Sequence, residues 1–96
     1  MHERILKQMR QKIRTRDYVV SLHAADEMEE DGYTILDVEA GILGGTIVER
    51  QRDGETGETG ESKYRVRGPA AAPGEIEEVA KLGPTGKLVI ITVYRP

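Results

Sequence analysis

Ser21-Leu22-His23-Ala24-Ala25-Asp26-Glu27-Met28-Glu29-Glu30-Asp31-Gly32-Tyr33-Thr34 holds two helix starts and one helix stop, and the fold class follows from it. A serine at position 21 offers its oxygen to an orphan amide of the first turn, and Gly32 supplies the left-handed residue that ends a helix. Thr34 then caps a second helix, Ile35-Leu36-Asp37-Val38-Glu39-Ala40-Gly41-Ile42-Leu43, which stops at Gly44-Gly45. Strand-like runs follow this helix pair, so the expected class is α+β, with N-terminal helices packed on an antiparallel β-sheet meander.

Toward the N-terminus, Ile5, Leu6, Met9 and Ile13 recur at helical spacing among Arg4, Lys7, Arg10, Gln11 and Arg14, so residues 1–16 read as an amphipathic helix. Its basic side is either a solvated face or an arm for RNA or a partner. Asp17-Tyr18-Val19-Val20 is a short strand. Toward the C-terminus, Thr46–Arg52 reads as a strand, and Lys63-Tyr64-Arg65-Val66-Arg67 alternates, with Tyr64 and Val66 on one face and three cations on the other. Between these, residues 53–62 repeat Gly-Glu-Thr and are expected to form a flexible hairpin loop. Gly68-Pro69-Ala70-Ala71-Ala72-Pro73-Gly74 breaks the chain. Glu75–Leu82 then pairs through Gly83-Pro84-Thr85-Gly86 with a last strand, which is expected to be interior because it is apolar on both faces. Uniform alternation groups Leu88, Ile90 and Tyr94 on one of those faces, and Val89, Ile91 and Val93 on the other.

Ninety-six residues suit a single domain over 1–96 with a modest core. The lack of cysteine excludes disulfides and thiolate metal sites. No apolar run approaches membrane-spanning length and no signal-peptide core is present, so a cytoplasmic protein is expected. The net charge of -3 hides an asymmetry: residues 1–16 carry +5, residues 17–62 carry -11 and residues 63–96 carry +3. A global basic footprint is missing, which argues against tight binding of duplex nucleic acid.

The pattern His23-Ala24, Met28, Gly32 and Thr34, the next helix ending in glycine, and the closing Ile91-Thr92-Val93-Tyr94-Arg95-Pro96 together resemble the domain of unknown function 4258 family over about residues 18 to 96. The resemblance implies the fold of the barnase and RelE-like ribonuclease toxins, metal-independent RNA cleavage, and partnership with a small zinc-ribbon antitoxin. Three departures stand out. Relatives usually place arginine at Glu27 and Asp31, isoleucine at Tyr33, and often a second histidine within Ile76-Glu77-Glu78-Val79.

RNA cleavage without metal needs a base for the 2'-hydroxyl proton, an acid for the leaving 5'-oxygen, and cations for the crowded phosphate. Under this reading His23, Tyr94 and Arg95 are the catalytic candidates: an imidazole titrates near neutral pH, a phenol donates, and a guanidinium grips phosphate oxygens with its planar fork. Lys63, Arg65 and Arg67 are the RNA-binding candidates, expected to share one basic surface with Arg95. Each also has a structural reading, namely a polar bridge for His23, core packing for Tyr94 and a solvent face for the cations. His23 and Glu27, four apart beside Asp26, Glu29, Glu30 and Asp31, lack the ligand spacing of a metal site and read as a solvated acidic face suited to a protein partner. No cofactor motif is present. The rival function is therefore a non-catalytic protein-interaction module on the same fold, with a homodimer among its forms.

Overall fold

The computed structural model describes residues 2–52 and 62–96, so the loop expected over 53–62 lies, apart from Ser62, outside the described residues. Among these, helices α1 (Glu3–Arg14), α2 (Leu22–Asp31) and α3 (Ile35–Gly44) pack on a five-stranded sheet. Its strands are β1 (Tyr18–Val20), β2 (Thr46–Arg52), β3 (Ser62–Pro69), β4 (Glu75–Leu82) and β5 (Leu88–Tyr94). The order across the sheet is β1-β5-β4-β3-β2. β2 to β5 form an antiparallel meander, and β1 adds parallel to β5. The expected α+β class is observed, with a mixed rather than purely antiparallel sheet, and β5 is interior.

The caps form where the sequence places them. Ser21 Oγ accepts from Ala24 N at 3.0 Å, Gly32 adopts φ +74, and Thr34 exchanges reciprocal bonds with Asp37 in a capping box. Asp37 extends that role: its buried carboxylate also accepts from Ala71 N and Ala72 N, which fixes the loop before β4. The Thr34 amide leads the hydrogen bonds that hold this carboxyl below the usual range, against the opposing effect of burial.

Met9 and Ile13 of α1 join Val38 and Ile42 of α3 over Val66, Ile76, Ala80, Leu88, Ile90 and Val93 of the sheet. Arg10, beside that stripe, donates to Ile42 O and Gly45 O and so terminates α3 with a cation. β3 runs through Gly68-Pro69 instead of breaking there. The reason is packing: a Cβ on Gly68 would collide with Gly41 O and Gly45 Cα, so glycine is what lets α3 lie against the strand.

Uniform alternation fails in β5. Ala80 pairs with Ile90 and Val79 with Thr92, which leaves Ile91 as an extra residue, a β-bulge. Beyond it the phase reverses. Val93 joins Leu88 and Ile90 under the helices, while Tyr94, grouped with them by the sequence pattern, turns to the opposite, open face beside Glu77. The bulge lies just past the end of β1, where Ser21 Oγ donates to Ile91 O at 2.9 Å.

One core residue breaks the polar pattern. Glu78 is wholly buried, neither carboxyl oxygen has a hydrogen-bond partner among the described residues, and burial pushes its carboxyl well above the usual range. It sits beneath Gly41, where a Cβ would overlap Glu78 Oε2 and Ile76 Cγ2. Gly41→Ala is therefore expected to destabilise the fold by about 1–3 kcal/mol through overpacking, measurable by urea unfolding. Because the folded pKa of Glu78 is raised, its stabilising contribution is full below the ordinary 4.5 and is lost as pH rises through the folded value. Glu78→Gln should flatten that decline in thermal melts run from pH 4 to 9, and parallel wild-type and variant profiles would refute the assignment.

Candidate active site on the open sheet face

The register of the meander builds a small lattice on the face away from the helices. One row runs Thr92, Val79, Arg65, Glu49 and the next runs Tyr94, Glu77, Arg67, Thr46. With strands about 4.8 Å apart, Thr92 and Arg65 are separated by about 10 Å at their α carbons.

Glu77 anchors the second row. Its side chain is almost fully buried, and Oε1 accepts from Arg65 Nη1 at 3.1 Å, from Arg67 Nε at 2.8 Å and from Arg67 Nη2 at 2.6 Å. Burial alone would raise its carboxyl, but a hydrogen bond from Tyr94 and the two guanidinium groups outweigh that and hold it below the usual range. Tyr94 shifts the other way: burial first, then the Glu77 carboxylate, raise its phenol, so it stays protonated at neutral pH. Arg65 is also held by Glu49 at 3.2 Å.

At the rim, α2 supplies His23 and Glu27, whose spacing of four puts them on one helix face. His23 Nε2 lies 3.4 Å from Glu27 Oε1. The same oxygen accepts from Val93 N at 2.9 Å and from the Thr92 hydroxyl in a short hydrogen bond. Glu27 thus takes over the edge of β5 beyond the end of β1, and it presents to His23 a carboxylate that the sheet holds in place. The imidazole itself is 71% exposed.

His23, Tyr94, Arg65 and Arg67 therefore gather on or at the rim of one face, with Lys63 farther along β3 on the same side. Arg95 does not join them. The alternation that turns Tyr94 to Glu77 turns Arg95 away: Nη2 donates to Asp31 O at 2.7 Å, and the guanidinium lies 5.6 Å from the Tyr33 ring centroid. The four cations thus do not form one basic surface. Two of them are already matched by buried or half-exposed acids, and the third faces the end of α2. Sequence reading missed Glu77 as the hub, because its partners lie 10 and 12 residues away and become neighbours only through the β3–β4 register. Among the described residues, no group of three or more His, Cys, Asp or Glu side chains is placed to hold a metal ion.

Glu77→Gln is expected to cost about 1.5–3 kcal/mol of stability, the range for a hydrogen bond to a charged group, since it leaves Arg65 and Arg67 facing each other. Denaturant melts of this variant, and of one that also carries Arg67→Gln, test it. The double substitution should recover part of the loss, and strictly additive losses would deny the coupling.

The family model described as domain of unknown function (DUF4258) matches residues 20–95. No curated protein and no solved structure matches the chain. The matched stretch contains the capped helix pair, the whole meander and every residue of the open-face lattice, and the chain belongs to the DUF4258 family.

Proposed function

We propose that the open sheet face cleaves RNA without a metal ion, and that the protein acts in the cytoplasm as the toxin-like half of a toxin–antitoxin pair. The observation that carries this reading is the convergence of a carboxylate-oriented histidine, a protonated phenol and two arginines on one face. His23, held by Glu27, takes the proton of a 2'-hydroxyl, and the freed oxygen attacks phosphorus. The bond to the 5'-oxygen breaks, and Tyr94 protonates that leaving group, giving a 2',3'-cyclic phosphate and a 5'-hydroxyl. Arg65 and Arg67 exchange contacts with Glu77 for contacts with the phosphate oxygens, and Lys63 meets the next phosphate. Arg95 has no part in the step, because it turns toward Asp31.

A kinship with barnase and RelE-like toxins would imply the same chemistry, with a small zinc-ribbon antitoxin as the partner that covers this face. The neutralisation of Arg65 and Arg67 by Glu77 and Glu49 favours a second reading, a non-catalytic interaction module. Incubation of defined single-stranded RNA with the protein separates the two. Cleavage should persist in chelator and leave cyclic or 3'-phosphate ends. His23→Ala should slow it by roughly 100- to 10,000-fold, the usual loss on removing a general acid or base. Tyr94→Phe keeps the ring and removes the phenolic proton, and should also slow cleavage. RNA left intact by the wild-type protein, with and without divalent metal, would falsify the enzyme and leave the interaction module. Cleavage surviving His23→Ala would reject the assigned base.

A further inference from the structure

The helix layer carries two charged helix faces that the proposed chemistry does not use. On α1, Arg4, Lys7, Gln11 and Arg14 are exposed along one stripe, and the three cations make no ion pair among the described residues. Beside this stripe, Gln8, Gln11 and Lys12 border a shallow hollow with Leu82 and Gly86 of the β4–β5 hairpin. On α2, Leu22, Asp26 and Glu29 form a second exposed stripe with Glu30 alongside, and those acids are likewise unpaired among the described residues. Leu22 is 87% exposed, the most of any large apolar side chain described.

The spacings of the two stripes complement each other. From Leu22, Asp26 and Glu29 lie four and seven residues toward the C-terminus of α2. From Gln11, at the hollow, Lys7 and Arg4 lie four and seven residues toward the N-terminus of α1. At 1.5 Å per residue both sets fall about 6 and about 10 Å along their helices. Laid antiparallel, Leu22 meets the hollow, Asp26 meets Lys7 and Glu29 meets Arg4. Within one molecule the two helices pack on different elements, α1 on α3 and α2 along β5.

We infer that α1 of one copy docks antiparallel on α2 of a second copy, with Leu22 seated in the α1 hollow and Asp26 and Glu29 paired to Lys7 and Arg4. This contact is independent of the chemistry proposed for the sheet. RNA is disfavoured as the occupant of α1, because it would leave Leu22 uncovered and would meet a chain whose net charge is -3.

Sedimentation of the full chain over a concentration series tests the inference. Association should be seen at low salt, with the dissociation constant rising by about tenfold between 50 and 500 mM salt as exposed pairs are screened. Arg4→Glu with Lys7→Glu, and separately Asp26→Lys with Glu29→Lys, should each abolish self-association. Mixing the two double variants should restore it, since every contact between unlike copies then joins opposite charges. Arg16→Glu with Arg50→Glu, which changes the net charge by the same amount outside both stripes, should leave self-association intact. A monomer at every salt and concentration, or association indifferent to the Arg4 and Lys7 reversals, overturns the contact. Arg4→Glu with Lys7→Glu that leaves association intact but abolishes filter retention of single-stranded RNA would overturn the contact and assign the stripe to phosphate.

Discussion

The extra residue at Ile91 sets the phase of the last strand, and the open face depends on it. Without the bulge, Thr92 and Tyr94 would point under the helices and Val93 would face outward. The bulge is stabilised from outside the ladder. β1 ends at Val20, and the next residue serves both elements: Ser21 N donates to Ile90 O, its hydroxyl donates to Ile91 O, and its oxygen accepts from Ala24 N in the first turn of α2. Glu27, two turns on, then receives Val93 N. A helix thus completes an edge where a strand would otherwise leave backbone groups unpaired.

The two faces of β4 handle adjacent glutamates in opposite ways. Glu77 is buried with three guanidinium contacts and a phenol around it, and it remains a carboxylate. Glu78, one residue later, is buried without a hydrogen-bond partner among the described residues, and burial favours its neutral acid. Sequence neighbours are therefore pushed toward opposite protonation states, because the pleat sends one toward cations and the other toward apolar side chains and a glycine.

Those contrasts mark what could be read in the sequence. Caps and turns are local, so Ser21, Gly32, Thr34 and the Gly83–Gly86 turn announce themselves, and with them the order of elements and the interior place of β5. The alternation of Lys63, Arg65 and Arg67 correctly separates them from Tyr64 and Val66. Properties that need pairing between strands were not legible. Period-two reading assumes an unbroken strand, so it misplaces Tyr94, and it gives no sign that Glu77 stands across from Arg67. His23 stands out by its place in a first turn, but the fixed carboxylate beside it becomes evident only when Glu27 is seen tied to Thr92 and Val93. Arg95 illustrates the converse: adjacency to Tyr94 in sequence implies divergence in a strand.

The core also says something about where this folding unit begins. The family match starts at residue 20, yet Met9 and Ile13 are buried in the same cluster as Ile42, Val66 and Ile90, and Arg10 terminates α3 from a distance of 32 to 35 residues. The boundary of sequence likeness is thus not a boundary of cooperativity. A polypeptide started at residue 20 would present the α3–sheet seam to water and leave the last carbonyls of α3 without their cation. Because α1 closes over surfaces assembled from segments that follow it in the chain, its docking has to wait for α3 and the meander, although α1 is made before them.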